Sequence, residues 1–114
     1  MLANEKWGLS ENGKTLMDAA NYMDEHGWCR GKAGMYDGSV CLYGAIAAVI
    51  GAVKLHEDGL RIDIGHPNFK SFLAIQNAIE ESRIFINGAA KWNDKGAKSK
   101  EQVVAKLREL AYLF

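Results

Sequence analysis

Residues 39–53 read SVCLYGAIAAVIGAV, and the reading of this stretch decides the fold. Wound as a helix it is apolar on every side, so it has no wet face to offer. A membrane span needs about 20 such residues, and Val40 to Val53 falls short. The expectation is a buried central helix over residues 40–53, with Ser39 as its N-cap. Gly44, Ala45, Ala47, Ala48 and Gly51 keep it thin, so neighbouring backbones can pack close to it.

Working toward the N-terminus, residues 30–39 (RGKAGMYDGS) form a glycine-rich connection with a turn at Tyr36-Asp37-Gly38. Before it lies a helix over about residues 13–26, opened by Ser10 or Asn12, with Leu16, Ala20 and Met23 on one face. Gly27 stands where a left-handed cap is wanted. Trp28 is placed to fold back on Met23 as the apolar contact of that cap. Residues 1–9 are expected to be loosely ordered.

Working toward the C-terminus, residues 54–66 (KLHEDGLRIDIGH) read as an irregular link, with LRIDI as a short strand in want of a partner. Pro67 opens a third helix, buried through Phe69, Phe72, Ile75 and Ile79 and broken near Asn87-Gly88. GAAKWNDKGAK (88–98) reads as a polar loop. The last helix begins at Ser99, with Gln102 three residues on as a capping box. Val103, Val104, Leu107, Leu110, Ala111 and Phe114 form its apolar stripe, so the tail is expected to dock.

The whole chain has 114 residues, 48% of them hydrophobic and 25% charged, the balance of an ordinary globular domain. That length buries about two thirds of the unfolded surface, enough for one core without staples. The expected fold class is mainly α: a single-domain bundle of about four helices around the 40–53 helix, with room for one short strand pair. Lysine plus arginine and aspartate plus glutamate stand at 14 each. This neutrality argues against a general nucleic-acid or membrane binder. The N-terminus lacks the basic start and apolar run of a signal peptide, which points to the cytoplasm. There, two cysteines are expected to be thiols.

Cys29 and Cys41 have several readings. Both fit as small core residues. Cys41, in the first turn of the central helix, would feel free N–H groups and the helix dipole, which favour a reactive thiolate. A hydrolase would then draw its base from His26, His56 or His66, with Asn93 or Asp94 as orienter, and Cys41 and Asp94 are the candidate catalytic residues. A Cys29–Cys41 redox or metal switch is the third reading. Zinc would call on His26, His56 or His66, yet no CxxC or HxxxH spacing is present, so no metal site is expected. With no GxGxxG, GKS/T or HExxH, nothing calls for a cofactor.

The second candidate stretch is KWNDKGAKSK. From Gly88 to Arg108 six basic residues (Lys91, Lys95, Lys98, Lys100, Lys106, Arg108) face only Asp94 and Glu101. Lysines ahead of a helix start suit an anion, and an exposed Trp92 stacks on a base. The candidate binding residues are Trp28, Arg30, Trp92, Asn93, Asp94, Lys95 and Lys98.

GWCRG (27–31), DGSVCLYGAI (37–46), KWND (91–94) and a terminal amphipathic helix together resemble a family of small bacterial and phage proteins of unknown function. Its members carry GWC(Q/R)G, a spacer, WC-x-x-GA(I/L) and a late WND. The likeness runs from Leu16 to Leu110. This chain has Val40 where the pattern has an aromatic, and its spacer is short. The resemblance implies no activity. It draws attention to Trp28, Cys29, Cys41, Gly44, Trp92, Asn93 and Asp94, and it implies a phage or mobile-element origin. The resulting expectation is an accessory protein that binds a protein partner, such as a host-defence component, or a small anionic or nucleotide ligand. The rivals are a Cys41 enzyme and the Cys29/Cys41 switch.

Overall fold

In the computed structural model, which describes residues 8–114, five helices and one strand pair follow the chain in the order α1 (Glu11–His26), α2 (Leu42–Ile50), β1 (Val53–His56), β2 (Gly59–Ile62), α3 (Phe69–Ser82), α4 (Ala89–Lys91) and α5 (Lys100–Leu113). A single π turn, Trp92–Gly96, continues α4. The expected loose order of residues 1–9 falls almost wholly outside the described residues, as does Trp7.

The two long amphipathic helices behave as their periodicity requires. Ser10 caps α1 by accepting the Gly13 N–H at 3.0 Å, and Ser99 caps α5 by accepting the Gln102 N–H at 3.2 Å. The Gln102 side chain turns to the Lys98 N–H at 2.7 Å. α1 and α5 pack against each other along their length. Gly13 makes this possible, because a Cβ there would lie 2.4 Å from the Ala111 carbonyl oxygen. Ser10 Oγ also donates to the Phe114 carbonyl, which fastens the end of α5 to the start of α1. Leu16, Met17 and Met23 of α1, Leu42 and Ile46 of α2, Phe72 and Ile79 of α3, and Leu107 and Leu110 of α5 join one core cluster.

The central helix is shorter than residues 40–53. It spans Leu42–Ile50, capped by Cys41 rather than Ser39; the Cys41 sulfur accepts the Gly44 N–H at 3.2 Å. Ser39 is occupied elsewhere, since its N–H and hydroxyl both donate to Asp37 Oδ1, at 3.0 and 2.7 Å. Val40 is extended and bridges Trp28 on one side and Gly34 on the other. At the far end Gly51 takes the left-handed conformation (φ 93°), and Val53 enters β1.

The glycine-rich connection is therefore threaded into a small sheet. Val40 pairs in parallel with Trp28 and antiparallel with Gly34; Gly34 pairs with Leu60, and β2 pairs with β1. Residues 53–62 form a hairpin instead of an irregular link, with Val53–His56 supplying the partner that LRIDI was expected to lack. Gly27 has φ 104° and ψ 172°, so the chain leaves α1 extended instead of closing a left-handed cap. Trp28 accordingly enters the bridge with Val40.

The third helix begins two residues later than expected, at Phe69 with Asn68 as its N-cap, so Pro67 lies in the turn before it; Phe72, Ile75 and Ile79 are buried and Phe69 half-buried. The expected polar loop at 88–98 is wound into α4 and the π turn, closed by the Ala97 N–H on the Trp92 carbonyl at 2.7 Å. Its glycines and polar residues mimic a loop in sequence. The turn winds because its polar groups find buried partners.

Gly44 is where α2 meets the threaded connection. A Cβ at Gly44 would stand 1.8 Å from the Ala33 carbonyl oxygen, a backbone atom that itself receives the Cys41 N–H. Gly44→Ala is expected to lower the unfolding free energy by about 3 kcal/mol. Gly65→Ala, whose nearest neighbour would lie 3.5 Å away, should change it little. Urea midpoints of the two variants measure the contrast.

Candidate functional site

The motif residues converge on one buried side chain, Asn93, which is 1% exposed. The π turn aims it at the gap between the Trp28–Cys29 segment and the start of α2. A parallel ladder that continued past Trp28 and Val40 would next join the Leu42 N–H to the Cys29 carbonyl. The Asn93 carboxamide stands in that place. Its Oδ1 accepts the Leu42 N–H at 3.0 Å, and its Nδ2 donates to the Cys29 carbonyl at 3.1 Å. Oδ1 also accepts the Trp28 indole N–H at 2.8 Å, and Nδ2 donates to Asp94 Oδ1 at 2.9 Å. Both donor hydrogens and both acceptor sites of the amide are used.

Asp94 extends the junction by accepting the Gly31 N–H at 2.9 Å. The Arg30 guanidinium lies 4.6 Å from the Trp28 ring centroid and donates to the Ala97 carbonyl at 2.6 Å. Trp28, Arg30, Asn93 and Asp94 are thus brought together, chiefly by contacts with one another and with backbone.

Cys41 and Asp94 share a concavity of about 230 Å³, with Lys32 and Tyr43 in its wall. Burial pushes the Cys41 thiol up to about 11, against the pull of the Gly44 N–H; Cys29 and Asp94 reinforce the rise. The helix terminus expected to favour a thiolate is outweighed by desolvation. Burial likewise raises Cys29, whose sulfur lies 3.6 Å from the Lys32 carbonyl. Both cysteines are free thiols. The histidines stand apart from this concavity: His26 stacks on Tyr22, His56 ends β1, and His66 accepts the Asn68 N–H. Among the described residues, no three histidines, cysteines or acids are grouped to hold a metal.

Trp92 belongs to a different place. It is half-buried, its ring centroid 5.1 Å from that of Phe85. It lines a cleft of about 400 Å³ with Ile84, Phe85, Ile86, Lys91, Lys95 and Lys106 among the walls. Gly96 closes against its edge, where a Cβ would lie 2.9 Å from Trp92 Cδ1. Lys98 lies outside this cleft.

The basic cluster divides as well. Lys100 and Arg108 reach back to Asp24 of α1, at 3.5 and 3.7 Å, and Lys106 pairs with Glu109 at 3.0 Å. Lys91 and Lys95 make no ion pair among the described residues and stand on the cleft wall. Sequence reasoning missed Ile84, Phe85 and Ile86. Their signal was the apolar run before Asn87-Gly88, which was read only as a helix end.

The chain matches the family of unknown function DUF6197 over residues 11–113. It belongs to that family. No curated protein and no solved structure is similar to it at a significant level.

Two results are expected from this geometry. Asn93→Ala strands the Leu42 N–H, the Trp28 indole N–H and the Cys29 carbonyl together, and should cost about 3 to 4 kcal/mol in chemical denaturation. Folded protein should alkylate at Cys41 about 100-fold more slowly at neutral pH than an unshifted thiol, because about two pH units separate 11 from the ordinary 9.0. The rate should climb about tenfold per pH unit up to about pH 10, as the thiolate fraction grows. Mass-resolved alkylation across that range checks it.

Proposed function

We propose that this DUF6197 protein is a non-catalytic binding module whose Trp92 cleft takes a small anionic ligand with a flat apolar part. The observation that carries this is the wall of the cleft. Two aromatic rings and two isoleucines provide apolar surface, and Lys91, Lys95 and Lys106 surround it. Lysines in this setting attract a phosphate or carboxylate as point charges, while an aromatic face accepts a planar ring. A cleft of about 400 Å³ falls within the roughly 300–1,000 Å³ usual for small-ligand sites. The resemblance to bacterial and phage sequences makes a host nucleotide the first ligand to try.

A protein partner is the second reading, favoured by Ile86, which stands 92% exposed on the cleft wall. The Cys41 enzyme has less support. Its thiol is held protonated, and the carboxylate that shares its concavity, Asp94, is already bonded to Gly31 and Asn93.

Adenosine monophosphate titrated at low salt should quench tryptophan emission saturably. Trp92→Phe should remove most of the change while Trp28 still emits. Lys91→Glu with Lys95→Glu should weaken binding at least tenfold, and added salt should do the same. Saturable binding indifferent to both salt and charge reversal would overturn the reading, as would no binding at millimolar ligand.

A further inference from the structure

Trp28 and Val40 are locked in parallel by the Cys29 N–H on the Val40 carbonyl, at 3.0 Å, and the Val40 N–H on the Gly27 carbonyl, at 3.1 Å. One step along that register stand Cys29 and Cys41. Side chains at matching steps of paired strands leave on the same face. Adjacent strands run about 4.8 Å apart, within the roughly 4.4–6.8 Å between Cα atoms that a disulfide spans. Past this pair the strands part, and Asn93 fills the gap. Cys41 is half-buried on the wall of the 230 Å³ concavity, and Cys29 is buried behind it at 7% exposure.

We infer that Cys29 and Cys41 form a thiol–disulfide exchange site, oxidised to an intramolecular disulfide by a small-molecule disulfide of the glutathione class. The order of events follows from exposure. Cys41 loses its proton to solvent, and its sulfur attacks the reagent. The reagent's S–S bond breaks, one small thiol leaves, and a mixed disulfide remains on Cys41. Cys29 then loses its proton and attacks the Cys41 sulfur, expelling the second small thiol. Two protein thiols are oxidised and one small disulfide is reduced to two thiols, so no further oxidant is needed. Burial of both sulfurs makes the exchange slow, which suits a response to sustained rather than passing oxidation. The new bond ties the strand after α1 to the residue that caps α2, across the gap that Asn93 bridges.

The test uses the folded, full-length chain incubated with glutathione disulfide at about pH 8, followed by acid quench and intact mass. The expected product is about 2 Da lighter, having lost two hydrogens and kept no glutathione. Its peptide map should join the fragments holding Cys29 and Cys41. Cys29→Ser should instead retain one glutathione on Cys41. If that variant does not fold, a wild-type time course serves, with the singly adducted species rising before the lighter one. Two unmodified thiols at the end of the incubation would overturn the inference. So would stable adducts without the internal bond, or disulfide-linked dimers.

Discussion

The Asn93 carboxamide between the Cys29 carbonyl and the Leu42 N–H is the contact on which the rest of the structure depends. A ladder hydrogen bond needs two backbones about 4.8 Å apart, and here they diverge because α2 begins. Only a side chain with a donor and an acceptor on one planar group can bridge the opening as a peptide would. The same amide also holds the Trp28 indole and the Asp94 carboxylate. A buried network of this kind is stable when complete and costly when a single member is lost. It accounts for the winding of a polar, glycine-bearing segment into a π turn, since i→i+5 pitch delivers Asn93 and Asp94 inward.

That winding also separates structure from recognition. Asn93 and Asp94 point into the junction, whereas Lys91, Trp92 and Lys95 line the cleft behind it. The motif-bearing residues Trp28, Gly44 and Asn93 are explained by the junction alone. Gly44 admits the Ala33 carbonyl, and Trp28 supplies an indole donor to Asn93. A ligand therefore has to be sought beside these motifs, among groups that folding does not consume. Lys91 and Lys95 meet that condition better than Lys100 and Arg108, whose charges are met by Asp24.

The legible parts of the fold were those governed by local rules. α5 could be read from its stripe and Ser99, α1 from Ser10 and its spacing, and α3 from its apolar face, though Pro67 stands in the turn before it. The bounds of the central helix were not legible, because Val40 is as apolar in a bridge as in a helix, and its partners Trp28 and Gly34 are set by tertiary pairing. The hairpin was half legible: LRIDI alternates, but its partner Val53–His56 straddles the end of the apolar run and the polar stretch that follows. The sequence named Trp28, Arg30, Asn93 and Asp94 as candidate binding residues, and the structure brings these four together as a buried junction. The sequence also placed Trp92 with them, since residues adjacent in sequence give no sign that a π turn will aim them in opposite directions.

The sulfur at position 41 is the remaining departure from simple rules. An oxygen accepts the Gly44 N–H better than sulfur does, and serine or asparagine is the ordinary choice for a helix N-cap. Capping alone therefore does not account for a cysteine here, and neither does activation, since burial holds the thiol near 11. The feature that does distinguish the position is its neighbour. The parallel pair that fixes Trp28 against Val40 places Cys29 at the next step on the same face. A cap of sulfur beside a second sulfur joins the start of α2 to the strand before it by a covalent option that a hydroxyl could not offer.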